Sequence, residues 1–213
     1  PQRYVLVGDP TEAALIVAAT RMGLSKTILE AALPRVAEVP FESERKRMTT
    51  VHRMPASIDE LAPSLRSIWS WEGRIGEEPY ISFTKGSVDG LLGITKQVWV
   101  NDHTEALDES WRERIEKSNA RLAQQGIRVL GVAARMLDQL PTTVDADSVE
   151  NELTFVGLVG MIDPARAEVK DAVNTCRTAG IRPIMITGDH PLTARYIANE
   201  LGISQQSEVV TGQ

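Results

Sequence analysis

The stretch from Phe155 to Ile203 reads FVGLVGMIDPARAEVKDAVNTCRTAGIRPIMITGDHPLTARYIANELGI, and its punctuation decides the fold class. Phe155 to Ile162 is a short, almost wholly apolar run, as expected of a strand buried on both faces. Asp163-Pro164 supplies an N-cap and a proline suited to the first helical position. Val169, Val173 and Cys176 then recur at helical spacing, and Gly180 falls where a left-handed C-terminal cap is wanted. Ile181 to Ile186 reads as a second apolar strand, closed by Thr187-Gly188-Asp189-His190-Pro191, and a further helix runs to Gly202. Two strands joined by a crossover helix must be parallel, and open parallel sheets bind ligands beyond their strands' carboxyl ends. Thr187, Gly188 and Asp189 occupy such an end. A hydroxyl, a residue without a side chain and a carboxylate suit phosphate and magnesium there, and would equally serve as a helix entry capped by Thr187 or Asp189.

Outward from this stretch, composition narrows the function classes. The 213 residues carry a net charge of −6, which argues against a nucleic-acid partner. The single cysteine, Cys176, excludes an internal disulfide, and three scattered histidines form no zinc cluster. No apolar run approaches the length of a membrane span, and the expectation is a start in strand-like Tyr4 to Val7 with no leader peptide.

Upstream, four short segments stand out. Gly8-Asp9-Pro10-Thr11-Glu12-Ala13-Ala14-Leu15 is a well-made helix start, with Asp9 as cap and Glu12 in the favoured first turn. A second helix near Lys26 to Leu33 leads to a strand at Val36 to Pro40. Phe41-Glu42-Ser43-Glu44-Arg45-Lys46-Arg47-Met48-Thr49 follows, a charge-rich run of the kind that makes a solvated hairpin. Pro55 to Pro79 holds three prolines, Trp69 and Trp71, and reads as an insertion between strands. Tyr80 to Thr84 alternates like a strand and runs into Lys85-Gly86-Ser87. After a strand at Thr95 to Val100, an amphipathic helix spans Asp108 to Gln124 with Trp111, Ile115 and Leu122 inward, stopped by Gly126. Arg128 heads an apolar strand through Arg135, and Leu137 to Glu152 is an acidic connector.

The units G-L-V-G-M-I-D-P-A-R, C-R-T-A-G-I-R and M-I-T-G-D-H-P-L-T-A-R closely resemble the hinge and phosphorylation-domain segment of P-type cation-transporting ATPases, nearest the calcium-pump branch with its bacterial members. The upstream segments fall in that family's order: G-D-P-T-E-x-A-L, F-x-S-x-R-K-R-M, K-G-A/S and R-x-L-x-x-A. The resemblance implies that Glu12 faces the adenine amino group, Phe41 stacks on adenine, Lys46 is a cationic partner and Met48 an apolar wall. It further implies that Lys85 lines the adenine–phosphate cleft, Gly86 admits the ligand to the backbone, and Arg128 points to the phosphates. An ionised carboxylate only accepts, so Glu12 would favour adenine over guanine. Ser43 stands where some calcium pumps carry an arginine, a departure from the family's pattern at one phosphate-directed cation.

The implied fold is α/β (α+β). An antiparallel sheet flanked by helices, the nucleotide-binding domain, covers 1–156. A partial parallel βαβα segment of haloacid-dehalogenase type, including the hinge, covers 157–213. The implied ligands are ATP and Mg2+, and the implied activity is cation transport, with calcium suggested by the branch, through an aspartyl-phosphate. The sequence contains neither D-K-T-G-T nor G-D-G-x-N-D. The expectation is therefore a fragment from the cytoplasmic side of a membrane pump, without a catalytic residue or metal ligand of its own. Thr187, Gly188 and Asp189 would support phosphate and magnesium, and the membrane and actuator domains of the same pump would be its partners. Incomplete sheet edges would invite self-association. A stand-alone nucleotide-sensing module is the alternative. A soluble phosphatase would need a D-x-D or D-x-T after its first strand, and no such motif is evident.

Overall fold

A computed structural model describes residues 9–61, 79–162, 165–204 and residue 210. The helix start at Asp9 forms as its sequence dictates. The Asp9 carboxylate accepts from the backbone N–H of Thr11 at 2.7 Å and of Glu12 at 3.3 Å, and α1 (Pro10–Arg21) begins on the proline. Helix α2 (Lys26–Ala32) leads into β1 (Arg35–Glu42) and β2 (Arg47–Arg53). Beyond the segment containing residues 62–78, Trp69 and Trp71 among them, which lies outside the described residues, come β3 (Tyr80–Gly86), α3 (Val88–Leu92), β4 (Thr95–Val100) and β5 (His103–Ala106). Helix α4 (Glu109–Ala123), β6 (Arg128–Leu137), the short α5 (Ala146–Val149) and β7 (Leu153–Met161) follow, then α6 (Ala167–Thr178) and α7 (Pro191–Glu200).

The seven strands make one sheet in the order β1-β2-β3-β6-β7-β4-β5. Pairs β1–β2, β2–β3, β3–β6 and β4–β5 are antiparallel, while β4 and β7 run parallel, Thr95 opposite Leu153. The mixed α/β architecture with helices flanking a largely antiparallel sheet is the one expected.

Two compact units divide the chain, Pro1–Trp111 with Gly131–Gly157, and Arg112–Leu130 with Leu158–Gln213. In the first unit the sheet is covered on both faces. Val39, Val51, Leu137 and Val149 form one buried cluster, and Met54, Ile81 and Ala134, backed by Leu33, Phe83 and Met136, form another. Because both faces are dry, the small polar residues between the apolar ones must pair. Thr49 and Thr84 are fully buried and share a hydroxyl–hydroxyl hydrogen bond of 2.8 Å, and the buried Ser82 hydroxyl donates to the Arg135 carbonyl at 3.2 Å.

In the second unit, α6 buries Val173, half-buries Val169 and Cys176, and closes on Gly180 at φ +75°. There the Ile181 N–H donates to the Cys176 carbonyl at 2.8 Å and the Gly180 N–H to that of Arg177 at 3.0 Å, the double C-terminal cap the glycine permits. The proposed cap at Asp163-Pro164 lies outside the described residues, and Arg166 occupies the N-cap position of α6.

The expected second parallel strand, Ile181–Ile186, is not one. Its backbone joins no ladder, and Ile181, Ile184 and Ile186 are exposed, Ile186 to 93%. A strand exists only through a hydrogen-bonded neighbour, and an apolar hexapeptide carries the propensity without the partner. Over 157–213 the described residues thus make the end of β7, two helices and a connection between them that joins no ladder, and β7 finds its parallel neighbour in β4.

Candidate functional site

The β1–β2 hairpin shows how sequence places an aromatic side chain at a rim. Val39 pairs with Thr49 and Glu42 with Arg47, so Pro40 and Phe41 together oppose the single residue Met48. Proline has no N–H to give the ladder, and an edge strand tolerates both it and the bulge that results. Bulges re-aim side chains, and Phe41 is 61% exposed, unusual for a phenylalanine beside a packed sheet.

On the next strand Met48 lies directly opposite Lys85, which in turn opposes Val132 of β6. Lys85 and Met48 therefore share a sheet face. The Lys85 ammonium is held by both carboxylate oxygens of Glu12, from the first turn of α1. Of the sequence-selected residues, the structure thus brings Glu12 onto Lys85 and sets Met48 opposite Lys85 across the β2–β3 ladder, while Phe41 stands in the β1 bulge opposite Met48. Lys46 stands at the exposed tip of the hairpin with φ +50°, its N–H donating to the Glu42 carbonyl at 2.7 Å and its carbonyl accepting from Ser87 N–H at 3.0 Å.

Gly86 has a structural role in the hairpin. A Cβ there would stand 2.5 Å from Arg47 Cβ and 2.6 Å from the Lys46 carbonyl oxygen, so the glycine lets the hairpin backbone close on β3.

Arg128, Thr187, Gly188 and Asp189 belong to the second unit. Arg128 donates to Asp189 Oδ1 from Nε at 2.9 Å and from Nη2 at 2.7 Å. The Thr187 hydroxyl donates to Asp189 Oδ2 at 2.9 Å and accepts from the Asp189 N–H at 3.1 Å. His190, not Thr187 or Asp189, caps α7, its Nδ1 accepting from Leu192 N–H at 3.3 Å. Gly188 has open space around it.

A group that sequence reasoning passed over sits beneath the hairpin. Glu150, read as part of an acidic connector, has a fully buried carboxylate that accepts from Arg45, Arg47 and Thr49. Burial pushes its pKa up, but the hydrogen bonds from Arg45, Arg47 and Thr49 outweigh that and hold it below the usual carboxylate range. The one local hint is Arg47 and Thr49 two apart on a strand, which puts a guanidinium and a hydroxyl on the same buried face.

With this geometry in view, a family model described as "P-type ATPase, cytoplasmic domain N" matches residues 1–168. The chain belongs to the P-type ATPase family. It is 39% identical over 96% of its length to calcium-transporting ATPase 1 of Bacillus cereus, and 34% identical over its whole length to calcium-transporting ATPase 1 of Lactococcus lactis. A sodium/potassium-transporting ATPase subunit alpha-1 of Oreochromis mossambicus is 33% identical over 96% of the chain. The chain spans about a fifth of each of these relatives, 20%, 22% and 19% respectively. No helix among the described residues of this P-type ATPase segment is long and apolar enough to cross a membrane. Chemically, the first unit offers an exposed ring at the β1 bulge, and a thioether cross-strand from an ammonium held by a carboxylate. The second offers a guanidinium and a hydroxyl gathered on one carboxylate.

Proposed function

We propose that this chain is the ATP-gripping part of a P-type cation pump, and that Glu12, Phe41, Met48 and Lys85 receive the adenosine. The observation that carries the reading is the bulge opposite Met48, which leaves the Phe41 ring exposed on the strand next to the one whose Met48 pairs with the Glu12-bound Lys85. An exposed aromatic face is a stacking platform for a base, and the flexible thioether of Met48 adapts to its edge. Glu12, as an ionised acceptor, suits the exocyclic amine of adenine. Lys85 then exchanges part of its hold on Glu12 for a nucleotide phosphate, and Lys46 at the hairpin tip adds a second cation. Gly86, which lets the hairpin close on β3, also lets the nucleotide approach the backbone closely.

In the second unit, taken by itself, Arg128 and the Thr187-Gly188-Asp189 loop are assigned to phosphate binding. A fork of fixed positive charge suits that task, and the Asp189 carboxylate keeps the fork in place until phosphate competes for it. Both Asp189 oxygens are already engaged, and no group of three metal-ligating side chains occurs among the described residues. These residues do not make a resident magnesium site. Magnesium enters this reading as the counter-ion of the nucleotide.

In the whole pump the γ-phosphoryl group would pass to an aspartate outside this sequence and cation transport would follow, with calcium suggested by the names of the bacterial relatives. Millimolar to submillimolar affinity, a Kd of about 0.1–1 mM, suffices for such a lobe. Phe41→Ala is expected to lose the stacking contribution of about 1–3 kcal/mol. Titration of ATP followed by NMR checks this; identical shift changes in wild type and Phe41→Ala would contradict the proposed pocket.

A further inference from the structure

The Glu150 cluster has a reach that its burial alone does not explain. Arg45 Nη1 donates to both Glu150 oxygens at 2.7 Å, Arg47 Nε donates to Oε2 at 2.6 Å, and the Thr49 hydroxyl donates to Oε1 at 2.9 Å. The Arg45 fork does not stop there. Its Nη2 donates to the Pro40 carbonyl at 2.8 Å and its Nε to the Glu42 carboxylate at 2.7 Å. Those two anchor points are the residues immediately before and after Phe41.

A buried ion cluster is a weak source of stability, since well-packed apolar residues of equal volume often do as well. What apolar residues lack is direction. A guanidinium pinned on one side by a buried carboxylate can hold a backbone carbonyl and a side chain on the other at fixed angles. The bulged end of an edge strand is otherwise the part of a sheet with fewest restraints, and a stacking ring that must be ordered on binding costs affinity.

We propose that Glu150 is the positioning residue of the nucleotide site, fixing the Arg45 fork and, through it, the bulge that presents Phe41 to the base. This rests on the adenosine reading given above, and the experiment separates the two. AMP and ATP are titrated into the 213-residue chain as wild type, Phe41→Ala, Glu150→Gln and the double variant. Because the effect acts through the ring, Glu150→Gln is expected to weaken AMP and ATP by the same factor, about tenfold, and to add nothing once Phe41 is alanine. Equal losses in the presence and absence of Phe41 would overturn the positioning role. So would wild-type affinity in Glu150→Gln when Phe41→Ala is impaired. A Phe41→Ala chain that binds both nucleotides like wild type would overturn the site reading, and this inference with it. Should Glu150→Gln melt below the assay temperature, Arg45→Lys takes its place. It keeps a charge against Glu150 and gives up the fork; the same parallel loss supports the role, and unchanged binding overturns it.

Discussion

At the scale of single residues, charge placement separates surface from interior. The Lys85–Glu12 pair has its carboxylate half exposed, and pairs of that kind contribute about 0–1 kcal/mol, so it is better placed to be exchanged for a ligand than to hold the fold. Glu150 is the opposite case. Removing one partner of a buried, hydrogen-bonded ion cluster costs about 3–5 kcal/mol. Its pKa is depressed in the folded chain, so its contribution is fully present above the ordinary carboxylate pKa and is lost as pH falls through the depressed value. Urea midpoints measured from pH 7 down to pH 3 are therefore expected to fall on acidification in wild type. The gap between wild type and Glu150→Gln should narrow as pH falls below the ordinary carboxylate range, and a gap that did not narrow at all would speak against this assignment.

Secondary-structure elements were legible in the sequence wherever their own ends carried the signal. Asp9-Pro10 starts α1, and Gly126 and Gly180 end α4 and α6 in the left-handed region. Gly126 is doubly constrained: at φ +75° any Cβ would also stand 2.3 Å from the Tyr196 ring. The left-handed penalty of about 1–2 kcal/mol thus adds to the displacement of an aromatic side chain. Gly126→Ala is expected to lower stability by roughly 2–4 kcal/mol, measurable as a drop in Tm, while Gly180→Ala, with open space around the glycine, loses only the conformational part. The Ile181–Ile186 segment marks the limit of such reading. Its residues have the composition of a buried strand, and whether it becomes one depends on a neighbour that the hexapeptide does not specify.

Over the whole molecule, binding and chemistry are separable. Phosphoryl transfer depends on positioning the γ-phosphate against its acceptor, and on the function proposed above that acceptor would be the aspartate of a D-K-T-G-T motif, which does not occur among these 213 residues. The 213-residue chain is therefore expected to bind ATP with magnesium and to release no phosphate above the buffer rate; sustained turnover in a malachite-green assay would contradict the reading. The sequence by itself determined the helix starts and stops, the alternation of the strands and the ordered motifs that mark a P-type ATPase, because each is written in neighbouring residues. Tertiary structure alone decided that Glu150 closes over Arg45 and Arg47, that Gly86 serves the hairpin backbone, and that Arg128 rests on Asp189. Those pairings join residues far apart in the chain, and an ion pair or a close approach has no local pattern until the fold brings its two halves together.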